Sequence, residues 1–191
     1  MTTDNRPRCP WPGDDELMRR YHDEEWGVPV HDDRKWFEFL TLDAFQAGLS
    51  WRMVLVRRDG FRQVFHDFDP ARVANLSAEE MTAAAQNPGI IRNRLKIQAT
   101  VKNARAFLEM QKKHGSFDAF IWSFTDGKVV QNAWETLDQI PSSAPLSDTV
   151  SKALKKEGFS FVGSTICYAF LQAGGIVNDH LVGCFRYREL R

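Results

Sequence analysis

The chain has 191 residues, 43% of them hydrophobic, which is enough for a real buried core and leads us to expect a single domain over residues 1–191. Its 25 basic and 25 acidic residues cancel, so bulk charge favours no polyanion and any basic surface has to be local. Three cysteines, an odd number, argue against a disulfide framework and for a reducing cytoplasm, and no apolar signal core or run of eighteen apolar residues points to a membrane.

In chain order, Asp14 and Asp15 are candidate caps of a first helix with Leu17, Met18 and Tyr21 on one face. WFEFLTLDAFQAGLSW, from Trp36 to Trp51, is aromatic and nearly unbroken, the pattern of one buried helix, with Trp36, Phe37 and Phe39 in the core. DPARVANL opens with an Asp cap and a proline at the first helical position, and Ser77 and Glu80 form a capping box. Ile91, Leu95, Val101, Ala104 and Leu108 trace a loose stripe along a basic helix ending near His114 and Gly115. Lys128 to Val130 is the one modest strand candidate, and Leu146 to Lys156 reads as a helix stopped by Gly158. No repeat or low-complexity tract interrupts the series. The expected fold is all-α, either one compact body or two small helical lobes with a groove.

Chemistry-bearing residues gather in three places. Cys9 and His22 near the start, with His180 and Cys184 near the end, make a complete tetrahedral zinc set of two thiolates and two imidazoles. Such a set would join the termini and leave no coordination position for a catalytic water. His180 and Cys184, four apart, share a face if that segment is a helical turn, and the alternative is one such pair beside two unrelated residues. In ALKKEGFSFVGSTICYAFLQAGG, a lysine-bearing helix (Lys152, Lys155, Lys156) ends at Gly158, a short turn carries Gly163, and a second helix begins at Ser164 or Thr165. That is the layout of a helix-hairpin-helix over about residues 147–175, whose backbone amides approach a phosphate without reading base sequence. An ordinary helical hairpin would carry the same glycines. Finally, Trp11, Tyr21, Trp26 and Trp51 flank polar turn segments rather than lying in apolar runs. Aromatic faces stack on nucleobases, above all cationic ones. Asp43 interrupts an apolar helix nearby, either facing solvent or held in a pocket for a purpose.

Taken together, RCPW, YHDEEWGVP, FQAGLSW, GIIRNRLKIQA, SKALKKEGFSFVGSTICY and VNDHLVGC closely resemble the motifs of the type I 3-methyladenine DNA glycosylases, in order and at similar spacing from about Arg8 to Tyr187. The resemblance implies a helix-hairpin-helix glycosylase fold with one structural zinc ion on Cys9, His22, His180 and Cys184. It implies a base-excision repair enzyme that hydrolyses the N-glycosidic bond of 3-methyladenine in double-stranded DNA, releasing the free base without cutting the strand. It further implies base-binding roles for Trp11, Tyr21, Trp51 and Trp26, with Gln46 facing the pocket or the DNA, and DNA contacts at Gly163, Ser164 and Thr165. Monomer is the default state.

The chain departs from that pattern at Asp43, where family members carry a glutamate. The carboxylate is withdrawn by one methylene, about 1.5 Å. This leaves open an alkylated-DNA-binding protein with weak or absent excision, or a glycosylase with altered base preference. A zinc hydrolase using Glu25 as base is the remaining rival. His31, His66 and His114 are expected at the surface. Asp179 is expected to cap a helix or support the metal histidine, and Arg57, Arg58, Arg92, Arg94 and Lys96 are candidate phosphate contacts.

Overall fold

The computed structural model describes residues 6–191. Its helices are α1 (Glu16–Glu24), α2 (Asp33–Gln46), α3 (Trp51–Leu55), α4 (Arg58–Val64), α5 (Pro70–Val73), α6 (Ala78–Ala84), α7 (Arg94–His114), α8 (Phe117–Trp122), α9 (Pro145–Lys156), α10 (Ser164–Ala173) and α11 (Phe185–Glu189). Polar side chains set many of their starts. Asp15, Asp32, Ser50, Asp69, Ser77, Asn93 and Ser116 each accept a hydrogen bond from a backbone amide in the first turn that follows. Each cap contributes about 1 kcal/mol by satisfying an amide that the helix cannot. The expected Ser77–Glu80 capping box is present, and Pro70 opens α5.

α2 runs through the centre. Its residues from Trp36 to Phe45 are all buried, so it shows no solvated face, as a helix packed on every side must. Helices α3, α7, α8 and α10 pack around it. The continuous helix expected from Trp36 to Trp51 is in fact two. Gly48 adopts φ +77, a left-handed conformation that closes a turn after Gln46, and Ser50 caps a new helix at Trp51. This break turns Trp51 back toward α1, where its ring meets Tyr21. In α7 the buried stripe runs through Ile97, Val101, Ala104, Phe107 and Met110, and Leu95 is 69% exposed instead.

The fold is helical except for a parallel pairing of β1 (Val130–Gln131) with β2 (Val177–Asn178). This short ladder fastens the segment after Val130 beside the strand that leads to His180. Among the described residues no helix is long and apolar enough to cross a membrane.

Candidate active site and metal cluster

Six residues singled out in the sequence surround one cavity of about 330 Å3. Trp11, Tyr21, Trp26 and Trp51 give it aromatic walls, and α2 contributes Asp43 and Gln46. Tyr21 and Trp51 tilt toward each other with ring centroids 5.1 Å apart, and Trp11 meets Trp26 edge-on at 5.2 Å. The three indoles are half-buried and border open space rather than filling a core. A larger hollow of about 810 Å3 on the outer face of α1, edged by Asp15, Arg19, Arg20 and Arg52, has no aromatic lining.

Several polar atoms around this cavity lack partners. The indole nitrogens Trp11 Nε1 and Trp51 Nε1 and the carboxylate oxygen Asp43 Oδ2 are buried without a hydrogen bond. An orphaned buried polar group costs about 1–3 kcal/mol, and native structures tolerate few. Asp43 is 2% exposed, and burial holds its carboxyl well above the usual carboxylate range. Burial, and after it the charge of Asp43, also push the Tyr21 phenol up. Glu38, another buried acid of α2, shows the contrasting arrangement. It takes hydrogen bonds from Arg58 at 2.7 Å and Lys35 at 2.9 Å, which outweigh its burial and keep its pKa low. Of the two acids, only Asp43 is left to be satisfied by something that enters the cavity.

Behind the aromatic wall lies a buried Cys2His2 cluster. One ligand atom each from Cys9, His22, His180 and Cys184 converges within 4.8 Å, and all four residues are buried. His180 donates Nε2–H to the Trp26 carbonyl at 2.9 Å, which leaves Nδ1 facing Cys184 Sγ at 3.5 Å and Cys9 Sγ at 3.8 Å. His22 Nδ1 is held by Asp23 at 2.8 Å, so Nε2 faces Cys184 Sγ at 3.5 Å. Asp23 is in turn gripped by the Arg8 guanidinium at 2.8–3.0 Å. Imidazoles oriented through their second nitrogen are the usual support of a metal site. The closeness of the two sulfurs drives Cys184 down and Cys9 up, so keeping both as thiolates needs a cation between them. The donor set therefore fits a four-coordinate metal ion.

The cluster and the cavity share a wall. Cys9 is two residues before Trp11 and Tyr21 directly precedes His22, while the Trp26 ring packs on His180 at 4.6 Å and lies nearly parallel to His22 at 6.2 Å. Gly27 adopts φ +80, which a side chain rarely takes, and a Cβ there would stand a tight 3.1 Å from the His180 ring. Glu25, the base of the hydrolase alternative, is clamped by Arg58 at 2.6 and 2.7 Å and by Lys35 at 2.9 Å. Those bonds overcome burial and hold it at about 2. A carboxylate held so strongly acidic is a poor base for proton transfer.

The hairpin forms between α9 and α10. Gly158 ends α9 at φ +91, and Gly163 precedes α10 without a side-chain cap, leaving the first amides of α10 without that partner. Ser164 turns its hydroxyl to Ser147 at 2.8 Å, and Thr165 is exposed beside it. Lys152, Lys155 and Lys156 are exposed on α9. Asn103 of α7 pins the turn, accepting from Ser160 N–H at 2.8 Å and donating to Ser160 C=O at 3.0 Å.

Several expectations change. Arg58 and Lys96 do not face a phosphate backbone: Arg58 serves Glu25 and Glu38, and Lys96 donates to the Phe45 and Ala47 carbonyls at the end of α2. Arg92 and Arg94 remain exposed, and Arg57 donates back to Met53 C=O. His31 is exposed but not alone, stacking on Trp122 at 4.9 Å. The hydrogen bonds of Asp179 go to neither a helix end nor the His180 ring. They come from Asn132, Trp134, Tyr168 and Gln172. The cavity also has walls that the sequence reading passed over: Leu137, Ile140, Ala169 and Gln172. A lone glutamine in the apolar run CYAFLQA, three residues after Ala169, was the one available signal.

This geometry has close relatives. The methyladenine glycosylase family model matches residues 11–187. DNA-3-methyladenine glycosylase 1 of Escherichia coli (strain K12) is 51% identical over 180 residues, covering 94% of this chain and 96% of the relative. A crystal structure of a 3-methyladenine DNA glycosylase I superposes with a TM-score of 0.91 at 53% identity, over 94% of this chain and 98% of that one. A tyrosine-to-phenylalanine variant of another such enzyme, solved in complex with 3-methyladenine, superposes at 0.90 with 31% identity over 93% and 96% of the two chains. With its aromatic cavity set against a buried Cys2His2 cluster, the chain belongs to the type I 3-methyladenine DNA glycosylase family.

Proposed function

We propose that the protein excises 3-methyladenine from alkylated double-stranded DNA by hydrolysis of the N-glycosidic bond. The observation that carries this reading is an unpartnered, buried acid beside four aromatic side chains at an open cavity. Methylation at N3 makes adenine cationic while it is still joined to deoxyribose. Once the nucleotide is flipped out of the stack, the indoles and Tyr21 stack on the charged ring, a preference of about 2 kcal/mol or more in a desolvated pocket. Asp43 and the indole N–H groups then acquire the partners they lack. As the glycosidic bond breaks, its electron pair neutralises the cationic ring, so no acid has to protonate the leaving base. Water supplies the hydroxyl at the sugar carbon and its proton passes to solvent. No lysine lies on the cavity wall to form a Schiff base, so the product is an abasic site in an uncut strand.

The hairpin amides at Gly163, Ser164 and Thr165, with the exposed lysines of α9, supply phosphate contacts that position the duplex. The metal is a structural zinc ion, because two thiolates and two imidazoles suit zinc and fill its coordination sphere. It holds the aromatic wall in place and takes no part in the reaction. The protein acts as a monomer in the cytoplasm, where its three unpaired thiols stay reduced.

Incubation with methylated duplex DNA tests this directly. Free 3-methyladenine should appear, the strand should break only after alkali, and Asp43→Ala should slow release roughly tenfold to a hundredfold. Release of a different base by the wild type, or an Asp43→Ala rate equal to wild type, overturns it. Asp43→Glu measures what the shorter acid does: unchanged preference across a panel of lesions means that reach is restored by the surrounding helix.

A further inference from the structure

We propose that Gln172 reads the bound base, its Oε1 accepting a hydrogen bond from the exocyclic amine of the expelled adenine. This rests on the glycosylase reading above. α10 turns Ala169 and Gln172 toward the cavity, three residues apart on one face. Among the described residues, Gln172 Nε2 donates to Asp179 Oδ2 at 2.7 Å and Oε1 has no partner. The orientation of the amide follows from chemistry. The same Asp179 oxygen accepts from Tyr168 OH at 2.6 Å, and the other accepts from Asn132 and Trp134 at 2.7 Å. A carboxylate already taking donors from Tyr168, Asn132 and Trp134 offers Gln172 only acceptor sites, so the amide nitrogen, not its oxygen, must face it.

That anchor is deep. Asp179 is 1% exposed, and its donors come from α10 and from the segment after β1, so the Gln172 side chain cannot turn over without breaking the group. Asp179 is thus a positioning residue, and Gln172 presents a fixed acceptor. Asp43 offers a second acceptor on the same cavity, while the indole nitrogens of Trp11 and Trp51 are its orphaned donors. An adenine amine has two N–H groups, and a site with two acceptors satisfies both. A 6-oxo purine would place an oxygen against these acceptors and be rejected.

The test is a titration of tryptophan fluorescence with 3-methyladenine and with 3-methylpurine, which lacks the amine, using wild type and Gln172→Met. This substitution keeps length and volume but removes the acceptor. The expected result is a loss of 3-methyladenine affinity of about five- to tenfold with 3-methylpurine affinity unchanged. Asp179→Asn, which frees the amide to rotate, should erode the same ratio of affinities while the metal content stays constant. Equal losses for both ligands, or none for either, overturn the assignment of Gln172 and leave the glycosylase reading intact. A wild type that binds neither ligand and releases no base overturns both.

Discussion

Asp43 and Glu38 lie on one helix and are both buried, yet their surroundings differ completely. Glu38 is surrounded by Arg58, Lys35 and Arg62, so its burial is compensated. Asp43 has aromatic rings and open space, and its burial is uncompensated in the folded protein. Stability sacrificed at one residue for the sake of a ligand is a recurring property of active sites. Because burial raises the Asp43 pKa, its effect on folding has a definite sign. Well below pH 3.8, the ordinary value, the carboxyl is neutral in both states. As the pH rises further the unfolded chain ionises while the folded chain resists, and stability is lost until the higher folded value is passed. Asp43→Asn should therefore melt above wild type at pH 7, and the gap should shrink as the pH is lowered toward 5. Paired thermal melts check this, and a gap independent of pH would mean that Asp43 is already compensated. The same variant should lose base release, which separates stability from activity.

Among the elements, α7 connects the two working parts. Near its start, Lys96 closes the end of α2 through the Phe45 and Ala47 carbonyls and so steadies the turn between Gln46 and Trp51. Two turns further on, Asn103 grips both backbone groups of Ser160 and sets the hairpin against the same helix. The turn is strained locally, since Phe161 adopts φ +57 and is 37% exposed. Asn103→Ala should deprive the part-buried N–H and C=O of Ser160 of their partner, at about 1 kcal/mol in urea denaturation. Given the phosphate role proposed for the hairpin, the variant should lose affinity for DNA while binding free 3-methyladenine as wild type does. A parallel loss of both would show that α7 supports the cavity and the hairpin as one unit.

For the whole molecule, the Cys2His2 cluster brings residues more than 150 positions apart into contact: Cys9 with His180, and His22 with Cys184. The cavity wall is built on that closure, since Trp11 and Trp26 pack against the cluster histidines. Binding free energies of structural zinc, about 10–16 kcal/mol in small peptides, equal or exceed the 5–15 kcal/mol stability of a typical domain. Removal of the metal by a strong chelator should lower the melting temperature by roughly 10 °C or more, taking about 2–4 °C per kcal/mol for this size. It should also abolish 3-methyladenine binding. Elemental analysis must confirm removal, and an unchanged melt afterwards would show that packing alone joins the ends.

The local sequence determined what local physics controls. Caps at Asp15, Asp69 and Ser77, the end of α9 at Gly158 and the buried character of α2 follow from neighbouring residues, because each depends on hydrogen bonds or periodicity within a turn or two. Motif order carried the resemblance that singled out Cys9, His22, His180, Cys184, Asp43 and the aromatic side chains, and the fold gathers these into one buried cluster and the cavity beside it. Only the tertiary structure decided where the basic residues point. Arg58 and Lys96 sit in segments that look solvated, and each turns inward because distant carboxylates or carbonyls offer it partners. The same holds for Gln172, Leu137 and Ile140, which meet at one cavity through the pairing of β1 with β2 and the closure of the termini. Long-range contacts of this kind leave no periodic trace, since a side chain's direction depends on groups that the chain reaches only after it has folded.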